Sequence, residues 1–217
     1  MRWNDWPYAN TDYDMYLFLY DIDTGTVGEL AEYSTGYQNG SQPPSEEIVL
    51  DLTENQSFQC YMLAVTRKSN SPAGKDLELF LGGSSSFIGI YGQVMAMSSS
   101  SIGEPADGAS VFTVGAIDQA NWSTGPQEDY SSQGPTNAWA GSASLIKPDI
   151  CGPDGVSTGA YGATAFPGTS AATPHVAGAA ALVLSLHPNL LPTEVQSHLE
   201  SRAVDMGPTG KDNLYGW

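Results

Sequence analysis

Ser170 stands in the stretch Phe166 to Leu186, FPGTSAATPHVAGAAALVLSL, where its neighbours give a hydroxyl unusual chemistry. Gly168-Thr169-Ser170 reads as a turn that delivers Ser170 to the first position of a helix. A serine there owns one of the helix N-terminal N–H groups that lack an intrahelical partner. An oxyanion forming beside its hydroxyl meets both a donor and the positive end of the helix dipole. Gly168 leaves room for a substrate backbone. Pro174 removes the hydrogen bond that would reach back to the Ser170 carbonyl, and such broken local rules are expected at functional sites. Helix capping is the plainer reading of the same serine, yet a cap does not require GTS followed by TPHVAG.

Nucleophilic serine chemistry also needs a base within hydrogen-bond reach and a group that orients the base. The chain has 3 histidines. His175 follows Ser170 by five residues, which on a helix turns it ~140° around the axis. His187 lies ~25 Å further along that axis, and His198 belongs to a second, polar helix. None is placed to take the proton.

The elements that must position Ser170 follow from the pattern around it. From Val176 to Leu186 the helix is apolar all round, which predicts a course through the core, and Gly178, costing roughly 1 kcal/mol against alanine, predicts tight packing. Ser110 to Ile117 reads as a buried core strand. After His187-Pro188, the T-x-x-Q pattern beginning at Thr193 predicts a capping box and an amphipathic helix to about Asp205.

GTSAATPHVAGAAAL resembles the nucleophile segment of the subtilisin-like serine proteases, the subtilases, nearly position for position. The resemblance resumes upstream in GEPADGASVFTVGAID, in Ser131-Ser132-Gln133-Gly134-Pro135, similar to an SSxGP loop, and in Lys147 to Pro153, similar to a KPDIxAPG segment with Cys151 at an alanine position and Asp154 inserted before the glycine. It implies Ser170 as acylating nucleophile, its N–H as an oxyanion donor, Gly168 and Thr169 as turn support, and Ser131, Ser132, Gly134 and Pro135 beside the substrate cleft. Turn chemistry alone also accounts for the Gly-Pro pair. The family's Asp motif, its GTHVAG-like His motif and its AAGN-like oxyanion turn have no counterpart here, so the chain reads as a C-terminal fragment of the catalytic domain.

Composition limits the partners. The formal charge of −17, with Lys plus Arg numbering 7, argues against nucleic acid or anionic membranes. No membrane span is expected, the one long apolar run being the small-residue helix. Cys60 and Cys151 can form at most one bridge and read as small buried hydrophobes rather than a thiol or zinc site.

From Trp3 to about Ser100, short β segments alternate with turns: Asp12 to Tyr20, Glu47 to Leu52, Tyr61 to Arg67, Leu77 to Leu81 and Phe87 to Met97. That spacing predicts a β-sandwich or jelly-roll-like module, similar to β domains inserted in some subtilases, and Ser98 to Ser101 reads as a polar hinge. Trp3, Trp6 and Tyr8 suit aromatic packing better than stacking on a ligand. Asp5, Asp12 and Asp14 are hard oxygen ligands that suit calcium, but without a binding-loop spacing they read more simply as turn carboxylates. No metal site and no cofactor is otherwise expected.

The expected architecture is therefore α/β, a partial subtilisin-like parallel sheet with a buried nucleophile helix at 101–217, behind an all-β insertion at 1–100. The expected function is that of a serine endopeptidase fragment, extracellular by resemblance, acting on polypeptides once the absent half brings the Asp, His and Asn. Alone it should be nearly inert. A non-catalytic binding protein or pseudoenzyme with a β-sandwich recognition module is the alternative, and complementation by a separate chain a third.

Overall fold

The computed structural model describes residues 1–50, 60–68, 74–82, 98–138 and 143–217, the side chains of 163–165 excepted. The chain divides into two compact units, Met1–Ser85 with Ala138–Ser142, and Ser86–Asn137 with Ala143–Trp217.

In the first unit every described element is a strand. β1 (Arg2–Trp3) pairs antiparallel with β5 (Leu77–Glu78), while β2 (Tyr13–Asp21) lies between β3 (Thr26–Ser34) and β4 (Cys60–Arg67) in an antiparallel sheet. β2 and β3 form a hairpin. Asp21 nucleates its turn, its Oδ1 accepting from the N–H groups of Asp23 at 2.9 Å and Thr24 at 3.1 Å. Gly25, at φ +70°, closes it with an N–H to the Asp21 carbonyl. β3 has no clean alternation and escapes the sequence reading, whereas β2 and β4 fall where strand propensity puts them. Residues 47–50 are not in a strand, β5 is shorter than expected, and the segment Phe87 to Met97 lies outside the described residues. Trp3, Ala9 and Tyr13 make the core, Trp3 meeting Tyr13 edge-on with ring centroids 5.2 Å apart.

The second unit carries β6 (Val114–Asp118) and β7 (Ile150–Asp154), paired in parallel from Val114 opposite Ile150 to Asp118 opposite Asp154. The strand expected over Ser110 to Ile117 thus begins later and ends one residue beyond. β8 (Val156–Thr158) and β9 (Gly162–Phe166) form a small antiparallel hairpin leading into α1 (Thr169–Leu186), and α2 (Pro192–Glu200) follows. α1 packs on β6 and β7 through its first two turns, where Ala171, Ala172 and Val176 are buried. Gly152 permits that contact: a Cβ there would stand 2.8 Å from the Ala172 carbonyl oxygen and 3.0 Å from Val176 Cγ2.

The expectation of a buried nucleophile helix is corrected beyond Val176. Leu182 and Leu186 are 69% and 77% exposed, and a Cβ on Gly178 would meet nothing within 4 Å among the described residues. The reason is dimensional: two strands are ~5 Å apart, whereas an 18-residue helix is about 27 Å long, so the pair covers only its start. α2 also differs from expectation. Pro192 takes its first position and Glu194 Oε2 accepts the Leu191 N–H at 2.7 Å, so the cap sits before Thr193.

A buried ionic knot fastens the end of the chain to β7. Asp149, 2% exposed, accepts from Lys147 Nζ and Lys211 Nζ, each at 2.6 Å, and from the Thr113 N–H at 2.7 Å. Gly216, at φ +76°, lies so close that a Cβ would be 2.4 Å from the Asp149 carbonyl. Ser98 to Ser101 is tied down as well: Ser100 and Ser101 donate to the carbonyls of Gly134 and Gln133 at 3.1 and 3.0 Å. The segment expected to be a hinge is thus anchored to the loop it faces.

Candidate active site

The turn that leads to Ser170 is built by a glycine cap. Gly168 has φ +108° and ψ 158°, a conformation that favours glycine, and its carbonyl accepts from Ala171 at 2.8 Å and Ala172 at 3.3 Å. Ser170 is therefore the second helical residue rather than the first, and it is exposed. A Ser, Thr or Asp cap would turn its side chain onto the N–H of the second or third helical residue. Glycine has no such side chain, so the Ser170 N–H keeps no local competitor.

Behind the turn lies Asp154, the last residue of β7 and wholly buried. Its Oδ2 accepts the Gly168 N–H at 2.7 Å and a short hydrogen bond from the Tyr130 hydroxyl. That hydroxyl also lies 3.2 Å from the Gly168 nitrogen, placing it to accept a second branch of the same N–H. Asp154 Oδ1, equally buried, meets no donor among the described residues. Desolvation, then the bond to Asp154, raises the Tyr130 phenol above its ordinary range. Glu128 is raised too, by desolvation first and then by the charges of Asp154, Asp118 and Asp129. The carboxyl ends of β6 and β7 thus gather acidic groups beside the turn, at the edge where α/β sheets form their clefts.

Among the described residues no histidine hydrogen-bonds to Ser170. His175 Nδ1 lies 2.8 Å from the Ala171 carbonyl on its own helix. His187 and His198 face each other with ring centroids 6.1 Å apart, at the far end of α1.

The residues of the 131–135 loop make their contacts inside the fold. Ser131 is 1% exposed and its Oγ accepts the Ala116 N–H at 3.0 Å. Gly134 donates to the carbonyls of Lys147 at 2.9 Å and Asn213 at 3.0 Å, and a Cβ on it would come within 2.4 Å of the Lys147 oxygen. Ser132 and Pro135 are half-buried. Cys151 is a free thiol against Gln127 and the Leu214 carbonyl, each 3.9 Å away, and burial pushes it up to about 12.

The carboxylates considered for calcium engage protein partners. Asp14 pairs with Lys68 at 2.5 Å and accepts from the Tyr16 hydroxyl at 2.8 Å, Asp12 accepts the Gln38 N–H at 3.3 Å, and Asp5 accepts from Asn10 and Thr11 at 2.9 Å each. Among the described residues no group of three or more His, Cys, Asp or Glu is arranged to hold a metal. Sequence reasoning noticed Asp154 only as an insertion and passed over Tyr130. The signal was an ionisable residue at a strand end, one β-hairpin upstream of the Gly168–Ser170 turn.

A family model described as the Subtilase family matches residues 34–217. Subtilisin of Bacillus pumilus is 39% identical over 110 residues, covering 51% of this chain and 36% of its own length. Subtilisin Savinase of Lederbergia lenta is 33% identical over 175 residues, covering 80% of this chain and 49% of its own length. For subtilisin E of Bacillus subtilis the match is 38% over 110 residues and covers 26% of that protein. The chain spans from about a quarter to about half the length of these relatives.

Proposed function

Because the chain belongs to the subtilase family, we propose that it carries the nucleophile and one cleft wall of an extracellular serine endopeptidase that cleaves polypeptides. The observation that carries this reading is an exposed serine at the second position of an apolar helix, behind a glycine cap that leaves its N–H without a local acceptor. Ser170 Oγ attacks the scissile carbonyl while a base takes its proton. The Ser170 N–H and the helix dipole stabilise the resulting oxyanion. The leaving amine departs protonated, and water releases the acyl group from Ser170.

The base, its orienting acid and a further oxyanion donor come from additional polypeptide of the same protein. Two features support this. A parallel sheet is normally extended and covered on both faces, whereas β6 and β7 form a pair by themselves among the described residues. The exposed apolar residues of α1, Leu182, Leu184 and Leu186, are the surface such polypeptide would cover. The strands of the first unit serve as an accessory β module, and no cofactor is needed for acyl transfer of this kind.

The test compares this chain with the full-length protein on a peptide amide substrate. The full-length protein hydrolyses it and Ser170→Ala abolishes turnover. The chain alone is slower by about 10⁴ to 10⁶, a figure taken from losses measured on triad removal in subtilisin itself rather than worked from this structure. Ser170-dependent hydrolysis by the isolated chain would overturn the division of labour. Full-length hydrolysis that survives Ser170→Ala would overturn the assignment of the nucleophile.

A further inference from the structure

A helix whose first donors must stay available for an oxyanion faces a conflict. The usual side-chain cap would fix the turn but occupy the very N–H groups the chemistry requires. Gly168 avoids the occupation, and in doing so gives up the fixing. It is also the residue with the widest choice of backbone angles, so the turn needs restraint from elsewhere.

The restraint present is Asp154. It approaches from β7, outside the helix, and binds the Gly168 N–H, which lies before the helical donors and competes with none of them. The carboxylate spends both of its observed bonds on one oxygen, Oδ2, and both donors belong to the site: Gly168 of the turn and Tyr130 of the neighbouring loop. Tyr130 contacts the same Gly168 nitrogen, closing a three-membered set of Asp154, Tyr130 and Gly168. Asp154 itself is rigidly placed, being at the end of the strand on which α1 packs through Gly152. The helix and its turn are thus registered to one strand at two points, two residues apart.

We propose that Asp154, with Tyr130, is a positioning residue for the nucleophile: an external cap that fixes the Gly168 turn, and through it Ser170, while leaving the Ser170 N–H free. This rests on the peptidase reading above. The cap acts by accepting hydrogen bonds, so an isosteric acceptor can replace it. Asn at 154 keeps an oxygen for Gly168 and Tyr130, and its amide nitrogen takes the place of Oδ1, which meets no donor among the described residues.

The experiment uses the full-length protein and its Asp154→Asn, Asp154→Ala and Tyr130→Phe variants. Kinetics on a peptide amide are read together with the Gly168 amide in glycine-labelled protein by NMR. Misplacing a reacting group by about 1 Å can cost about 100-fold. Asp154→Ala should therefore lower kcat by about that factor with KM within about twofold. Asp154→Asn should remain within about fivefold of the parent, and Tyr130→Phe should fall between them. The Gly168 amide proton should be strongly downfield and slow to exchange in the parent and in Asp154→Asn, and lose both properties in Asp154→Ala. Unchanged kcat in Asp154→Ala, or a loss in Asp154→Asn equal to that in Asp154→Ala, overturns the proposal. If Asp154→Ala fails to fold, Asp154→Asn and Tyr130→Phe decide by the same criteria, Asn retaining and Phe reducing kcat. If the full-length protein shows no Ser170-dependent hydrolysis, the peptidase reading fails. The Gly168 amide still reports then whether the external cap exists.

Discussion

Removing the Asp149 carboxylate should unfasten the second unit. The side chain is 3% exposed and bridges two ammonium groups, that of Lys147, 4% exposed, and that of Lys211, 23% exposed. In Asp149→Ala, Lys147 Nζ keeps only the Val111 carbonyl, at 2.5 Å, among its observed partners, and the buried Thr113 N–H loses its side-chain acceptor. Stranding one partner of a buried pair costs about 3–5 kcal/mol, and the orphaned N–H is already part of that range. A loss of about 4 kcal/mol corresponds to roughly 8–16 °C in Tm for a unit of about 150–250 residues, and to less in a longer protein that unfolds as one. Lys211→Met should cost far less, because its ammonium is partly solvated and Asp149 retains Lys147. The double variant Lys147→Met/Asp149→Leu should be more stable than Asp149→Ala alone, since it removes the stranded cation together with its partner. Thermal and urea unfolding of the full-length protein measure all three. Asp149→Ala within about 1 kcal/mol of the parent, or a double variant less stable than the single one, would refute the reasoning.

Two further outcomes follow from burial. Cys151, with its thiol raised from an ordinary 9.0 to about 12, should resist a disulfide reagent at pH 8 in the folded protein and react on unfolding. Its raised value stabilises the fold fully below pH 9 and loses that contribution as pH rises from 9 toward 12, so the urea midpoint should fall across that window in the parent and less in Cys151→Ala. Replacing Leu182 and Leu186 together by Glu should make the isolated chain more soluble, yet lower the yield of folded full-length protein. Equal folding yields of variant and parent would mean that this face stays bare in the whole protein.

The Gly168–Ser170 turn was legible because its residues act locally. A Gly-Thr-Ser turn and a proline inside the helix each state a backbone requirement that needs no distant partner, although the cap at Gly168 and the second helical position of Ser170 came from the structure. The same holds for β2 and β4, whose propensity and turn residues agree, and for the parallel strand ending at Asp118. What escaped depends on neighbours far along the chain. Asp149 reads as one residue of a KPD segment, and only the fold brings Lys211 and Gly216 against it. The helix was expected to be buried because apolar periodicity reports what a surface prefers, not how much sheet is available to meet it.

Asp154 joins the two kinds of information. Next to Gly155 in sequence it is an irregularity in a loop, without evident partners. In the fold it ends the strand that carries α1, fourteen residues before the glycine whose N–H it accepts. A carboxylate placed there sets a cost that the site must absorb, because a negative charge close to a forming oxyanion opposes it. The arrangement limits that opposition by engaging the charge with two donors, the Tyr130 hydroxyl and the Gly168 N–H, neither of which is a helical N–H. The positive end of the helix dipole, at Thr169 and Ser170, then carries no side-chain cap. On this view the glycine at 168 and the acid at 154 are one device divided between two elements, and neither is intelligible by itself.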